Sequence, residues 1–182
     1  MSRSNVKSEL LSEAFSWGKT ILFAVVFALL INRFVIVNAT VPSASMESTI
    51  QTNDRIIAFR LSYLFSDPAL FDIIVFPNPD DPTTLNVKRV IGMPGDTVNI
   101  VDGRVFVNDA SEPLRYDFVQ GLIFGNFGPY QVPDGHFFVL GDYRSNSIDS
   151  RHWSTSNFVY SGDVLGRVVF RYFPRFNSLT NT

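Results

Sequence analysis

An uncharged stretch of 12 residues, Thr20–Ile31 (TILFAVVFALLI), constrains this chain more than any other feature. As a helix it reaches about 18 Å, short of the roughly 30 Å of a bilayer's hydrocarbon core. Past Asn32-Arg33 the apolar character resumes as Phe34-Val35-Ile36-Val37. Residues 20–37 together reach about 27 Å, which suffices to span if Arg33 extends its head to the interface. Three readings stand: a retained transmembrane anchor over 20–37, a cleaved secretory signal, and a buried core helix. Val37-Asn38-Ala39 has the small-residue spacing of a cleavage site. The long polar segment 1–19 ahead of the stretch, and the interrupting Arg33, favour an anchor that stays. With Arg3, Lys7 and Lys19 before it, the positive-inside count puts 1–19 in the cytoplasm and 38–182 outside.

Behind the anchor the texture changes to short alternating or apolar runs cut by turn residues. Residues 55–59, 72–76, 86–91, 97–100, 104–107, 137–140 and 164–170 read as strands. Asp102-Gly103 between two alternating runs signals a tight hairpin. The predicted architecture is mostly β: one β-rich domain over 38–182, a coiled, barrel-like antiparallel sheet, behind one N-terminal transmembrane helix. A net charge of −2 removes the electrostatic footprint of a nucleic-acid binder. With no Cys, a thiol nucleophile and a Cys-ligated metal are excluded, and two His (His136 and His152) argue against a His-rich metal site.

Three segments could carry chemistry: Val41-Pro42-Ser43-Ala44-Ser45-Met46-Glu47-Ser48-Thr49, Val87-Lys88-Arg89-Val90-Ile91-Gly92-Met93-Pro94-Gly95-Asp96, and Gly141-Asp142-Tyr143-Arg144-Ser145-Asn146-Ser147-Ile148-Asp149-Ser150-Arg151. Each alone could be an ordinary turn or a hydrogen-bonded loop brace. The lysine count singles out the second. Of 15 basic residues 12 are Arg, and Lys88 is the single lysine of the β domain. Arg holds its proton at any usable pH, whereas a buried Lys can lose it. In a strand, Lys88 and Val90 point to one face while Arg89 and Ile91 point to the other, so Lys88 can be buried with Arg89 left outside. A base working near neutrality needs its pKa lowered by roughly 3 units, which desolvation can supply. Such an amine can take the proton of a serine hydroxyl. A Ser/His/Asp site through His152 and Asp149 is also available, with those two only three positions apart.

In this order behind an apolar helix, the segments resemble the signature boxes of type I signal peptidases, the membrane-bound serine endopeptidases that remove signal peptides from exported proteins. The resemblance runs from the anchor to about Pro174. It implies Ser45 as nucleophile and Lys88 as general base, with the Ser43 hydroxyl joining the Ser45 backbone N–H around the oxyanion. Ser147 would orient the lysine amine, and Asp149 with Arg151 would form a supporting ion pair, Asp142 and Arg144 sitting in the same brace. Val41, Met46, Ile50, Val75 and Val87 resemble the lining of shallow apolar pockets that accept small residues, the Ala-x-Ala pattern. The resemblance further implies a single-pass protein of the cytoplasmic membrane, its catalytic domain on the extracytoplasmic side. Its partners would be signal-peptide-bearing preproteins and the lipid bilayer, with no nucleic acid, metal or other cofactor. Two positions depart from the pattern: Phe71-Asp72 stands where Gly-Asp is usual, and Tyr143 where Asn is common. A membrane-anchored β module that binds exported chains without cutting them, and a protease dedicated to one substrate, remain as rivals.

Overall fold

The structure is a computed structural model and describes residues 3–180, which fall into two compact units dividing after Val35. The first is helix α1, Arg3–Phe34. Its stretch Phe15–Phe34 is 20 residues long and apolar enough to cross a membrane. Ile21, Leu22, Phe23, Val25, Phe27, Leu29 and Leu30 are all exposed, so the apolar surface runs round the helix rather than along one stripe. Arg33 in the last turn complements the negative end of the helix dipole. The anchor expected over 20–37 is therefore helical only to Phe34. Strand β1, Ile36–Thr40, takes the next residues and pairs antiparallel with β2, Arg55–Phe59. The run Val35-Ile36-Val37 is β-branched and stiff at χ1, and a neighbouring strand offers it ladder partners.

The second unit continues with β3 (Ile73–Asn78), β4 (Asp81–Gly92), β5 (Thr97–Val101), β6 (Arg104–Val107), β7 (Phe127–Gln131), β8 (His136–Leu140), β9 (Val159–Tyr160), β10 (Gly166–Phe173) and β11 (Asn177–Ser178). One sheet has the order β1-β2-β10-β3-β4-β8-β9, with β11 added to β10; a second has the order β6-β5-β7. All ladders between strands are antiparallel, as the mostly β reading requires. Asp102 and Gly103 join β5 to β6 with φ of 49° and 77°, the two positive values that a two-residue type I′ turn demands.

Continuous apolar runs arise because the long sheet is covered on both faces. In β3, Ile73 and Val75 enter one cluster with Val37, Met46, Ile50 and Ile56, while Ile74 and Phe76 enter another with Trp153 and Val159. In β8, Phe137 and Val139 join that second cluster, and Phe138 and Leu140 join a third with Val98, Ile100 and Val105 of the small sheet. The turn before β3 holds Phe71 at φ 69°, a left-handed conformation costly for a bulky residue. Its ring lies edge-on to Phe118 and Tyr116, at 5.4 and 6.3 Å, which offsets that cost.

Candidate active site

A 3₁₀ turn at Ala44–Met46 presents Ser45, and the wholly buried Met46 side chain pins that turn to the core. Glu47 N–H donates to Ala44 O at 2.9 Å and Ile50 N–H to Met46 O at 2.8 Å, closing the turn. Lys88 comes from the middle of β4, opposite Ile74, and is 3% exposed. Its Nζ is hydrogen-bonded to Ser45 Oγ at 2.6 Å. The Ser43 hydroxyl lies 3.3 Å from that of Ser45. Ser45 N–H is near the start of the 3₁₀ turn, where backbone donors have no intrahelical acceptor.

Burial lowers the Lys88 pKa from its ordinary value to about 8, against the pull of Asp149 and Asp142, which favour the ammonium. At pH 7 about one molecule in ten then carries a neutral amine, far more than a free lysine offers.

The 141–151 loop supplies the remaining groups. Asp149 is wholly buried and meets Arg151 Nε at 2.7 Å and Nη2 at 2.8 Å. Burial alone would raise its carboxyl, but the Arg151 guanidinium, the Gly141 N–H and the Ser147 hydroxyl overcome that and hold it below the usual range. A Cβ on Gly141 would strike Ser147 Oγ and the Ser45 carbonyl, so only glycine lets this loop approach the nucleophile's backbone.

One expected contact differs. The Ser147 hydroxyl donates to Asp149 Oδ2 at 2.7 Å, and the Lys88 amine is bonded to the Ser45 hydroxyl rather than to that of Ser147. Asp142 is held by Arg89, whose Nε and Nη2 donate to its two oxygens at 2.8 and 2.6 Å. Thr49 Oγ1 donates to the same carboxylate at 2.6 Å. Arg144 donates to Gly141 O at 3.0 Å and to the Tyr116 hydroxyl at 2.7 Å. Lys88 and Arg89 pair with Ile74 and Ile73, which enter different clusters, so they lie on opposite faces of β4; both are buried, whereas the strand reading allows one of them to be exposed.

His152 leans toward Asp149 with Nδ1 3.8 Å from Oδ1, beyond hydrogen-bond reach, while that carboxylate is engaged by Arg151. The Ser/His/Asp alternative thus lacks its second link.

Two cavities meet at the dyad and share Ser43, Ser45, Asn86 and Lys88. The smaller, about 220 Å³, is lined by Ala39, Val41, Val75, Leu85 and Val87 among others. The larger cleft, about 940 Å³, carries Phe124, Ile148, His152 and Asp80 on its walls. Of the five expected pocket residues, Val41, Val75 and Val87 line the small cavity. Met46 and Ile50 do not: both are wholly buried in the core.

The model of the family described as signal peptidase, peptidase S26, matches residues 14–173. The chain belongs to this family. It is 42% identical over 164 residues to signal peptidase I of Leptolyngbya laminosa, covering 86% of this chain and 78% of that one. It is 40% identical over 163 residues to the probable signal peptidase I-2 of Synechocystis, covering 86% and 72%. Signal peptidase I of Bacillus licheniformis is 34% identical over 176 residues, covering 92% of each chain.

For a member of the signal peptidase family, sequence reasoning missed Arg89, Thr49, Tyr116 and Phe118 around the dyad. Arg89 had a usable signal. A charged residue inside an apolar run buried on both faces must find a counter-charge within the fold. Phe118 and Tyr116 lie in an irregular segment without periodicity, where no local pattern points to the site.

Proposed function

We propose that this chain is a serine endopeptidase that cuts N-terminal signal peptides from exported preproteins, with Ser45 as nucleophile and Lys88 as general base. The observation that carries the reading is the 2.6 Å contact between Ser45 Oγ and a buried lysine whose pKa is lowered to about 8. Neutral Lys88 takes the hydroxyl proton as Ser45 Oγ attacks the scissile carbonyl. The developing oxyanion meets the Ser45 N–H and the Ser43 hydroxyl. The Lys88 ammonium then returns the proton to the departing amine, and water, deprotonated by the same lysine, releases the acyl group from Ser45. Asp149, Arg151, Asp142, Arg89 and Ser147 hold these groups in register.

The small cavity, walled by Val41, Val75 and Val87, suits short apolar side chains and rejects large ones by clash, consistent with an Ala-x-Ala pattern before the cut. Residues 15–34 serve as a single membrane anchor, with the N-terminus inside and the β domain on the extracytoplasmic face, beside emerging signal peptides. The reaction uses no metal or other cofactor.

Incubating the purified full chain in detergent with a preprotein carrying Ala-x-Ala tests this. A cut after the second Ala is expected to survive EDTA. It should fall by about a thousandfold or more in Ser45→Ala and in Lys88→Arg, which keeps the charge but cannot shed its proton. A fully active Lys88→Arg protein removes the lysine from its role. A folded wild type that cuts no member of a preprotein panel leaves the non-cutting β module as the better reading.

A further inference from the structure

Residues 116–120 lie outside the three segments that carry the chemistry, yet they grip two of the arginines behind the dyad, Arg89 and Arg144. The Phe118 ring covers the face of the Arg89 guanidinium, 3.7 Å from Cζ to the ring centre. The edge of that guanidinium is spent on Asp142 and on Phe71 O, so ring and carboxylate hold it from two directions. The Tyr116 ring lies 4.6 Å from the Arg144 guanidinium, and its hydroxyl accepts the 2.7 Å bond from Arg144 Nη1. Tyr116 and Phe118 stack on each other at 5.2 Å. Along the backbone, Gln120 N–H donates to Asp142 O and Arg144 N–H donates to Gln120 O, both at 2.8 Å, around an isolated parallel bridge to Tyr143. Tyr143 N–H in turn donates to the Ser45 carbonyl at 3.0 Å.

We propose that Tyr116–Gln120, with Phe118 at its centre, is a positioning strap that holds Arg89 on Asp142 and the 142–144 backbone on the nucleophile's carbonyl. This inference rests on the Ser45–Lys88 reading above. A cation over an aromatic face gains most where water is excluded, and the ring also keeps water off the guanidinium. The charged groups that act on Lys88 are Asp149 and Asp142, which favour its ammonium, and Arg151, which opposes it; His152 stands in the same cleft. Arg89 bonds both oxygens of Asp142, so by Coulomb's law its charge opposes that of the carboxylate. Without the ring, Arg89 hydrates and loosens, Asp142 acts on Lys88 with less compensation, and the lysine keeps its proton to higher pH.

The full chain in detergent contains three lysines, of which Lys88 alone follows the helix, so isotope-labelled lysine reports its titration by NMR as a distinct resonance. Phe118→Leu keeps apolar bulk and removes the ring face. Its Lys88 midpoint is expected to rise by about half a pH unit, with an about threefold slower cut at pH 7. Phe118→Tyr, which retains the ring, should rescue both. A Leu variant whose midpoint and rate match wild type overturns the strap, and so does a Tyr variant displaced as far as Leu. Should Phe118→Leu not fold, Phe118→Met is held to the same criteria. A wild type that cuts nothing sinks the peptidase reading, while the titration of Lys88 still decides whether the strap acts on it.

Discussion

The inner face of the small sheet β6-β5-β7 and the seam between β4, the Ser45 turn and the 141–151 loop are both buried, for opposite chemical reasons. Val98, Ile100 and Val105 of the sheet are wholly buried against Ile91, Phe138 and Leu140, and ask only for apolar contact. The seam buries Lys88, Arg89, Asp142, Arg144, Asp149 and Arg151. Taking such ions out of water costs several kcal/mol apiece even after relaxation, so this region is a poor source of stability. Its charges persist because each is tied by bonds that also set the dyad. In the sheet, a lost methyl removes its own contacts; in the seam, a lost partner leaves a second charge uncompensated.

That contrast is broken most severely at the Arg89–Asp142 pair. Arg89→Met leaves the Asp142 carboxylate with only Thr49 Oγ1 and is expected to lower unfolding free energy by about 3–5 kcal/mol in urea titrations. A loss under about 1 kcal/mol would mean that the seam is wetter than its burial indicates. A middle-sized effect comes from the proton. With Lys88 lowered to about 8, the neutral fraction rises about tenfold from pH 7 to pH 9, and the cleavage rate should climb with it through pH 8. The direction follows from the base being the neutral form; a rate that falls across that interval removes Lys88 as the base. The smallest effect belongs to the sheet. Ile100→Val should cost about 1 kcal/mol in the same urea titration and leave the rate at pH 8 unchanged. A rate that drops with it would show that the two regions are mechanically coupled.

Much of the molecule was legible before folding was considered. The strands were found where alternation or β-branched runs stood between turn residues, and the Asp102-Gly103 hairpin was read from two residues. The missed strands are the short or irregular ones: β7 begins Phe127-Gly128-Pro129, β9 and β11 have two residues each, and β1 was absorbed into the anchor. In β1 the apolar stretch running out of the helix hid a change of period that only the pairing with β2 imposes.

The sequence by itself determined the residue types and local faces: one lysine in the β domain, a serine in a Pro-Ser-Ala-Ser turn, a Gly-Asp loop, and Lys88 pointing opposite to Arg89. These follow from composition and from side-chain direction along a strand, which are local quantities. Tertiary structure alone decided who pairs with whom. Asp142 lies two residues from Arg144 but bonds Arg89, 53 positions away; Ser147 donates to Asp149 while the lysine bonds Ser45; Met46 and Ile50 go to the core while Val41, Val75 and Val87 wall the cavity. A hydrogen bond depends on ångström distances between groups delivered by different strands, and strand order and register are set by packing across the whole sheet.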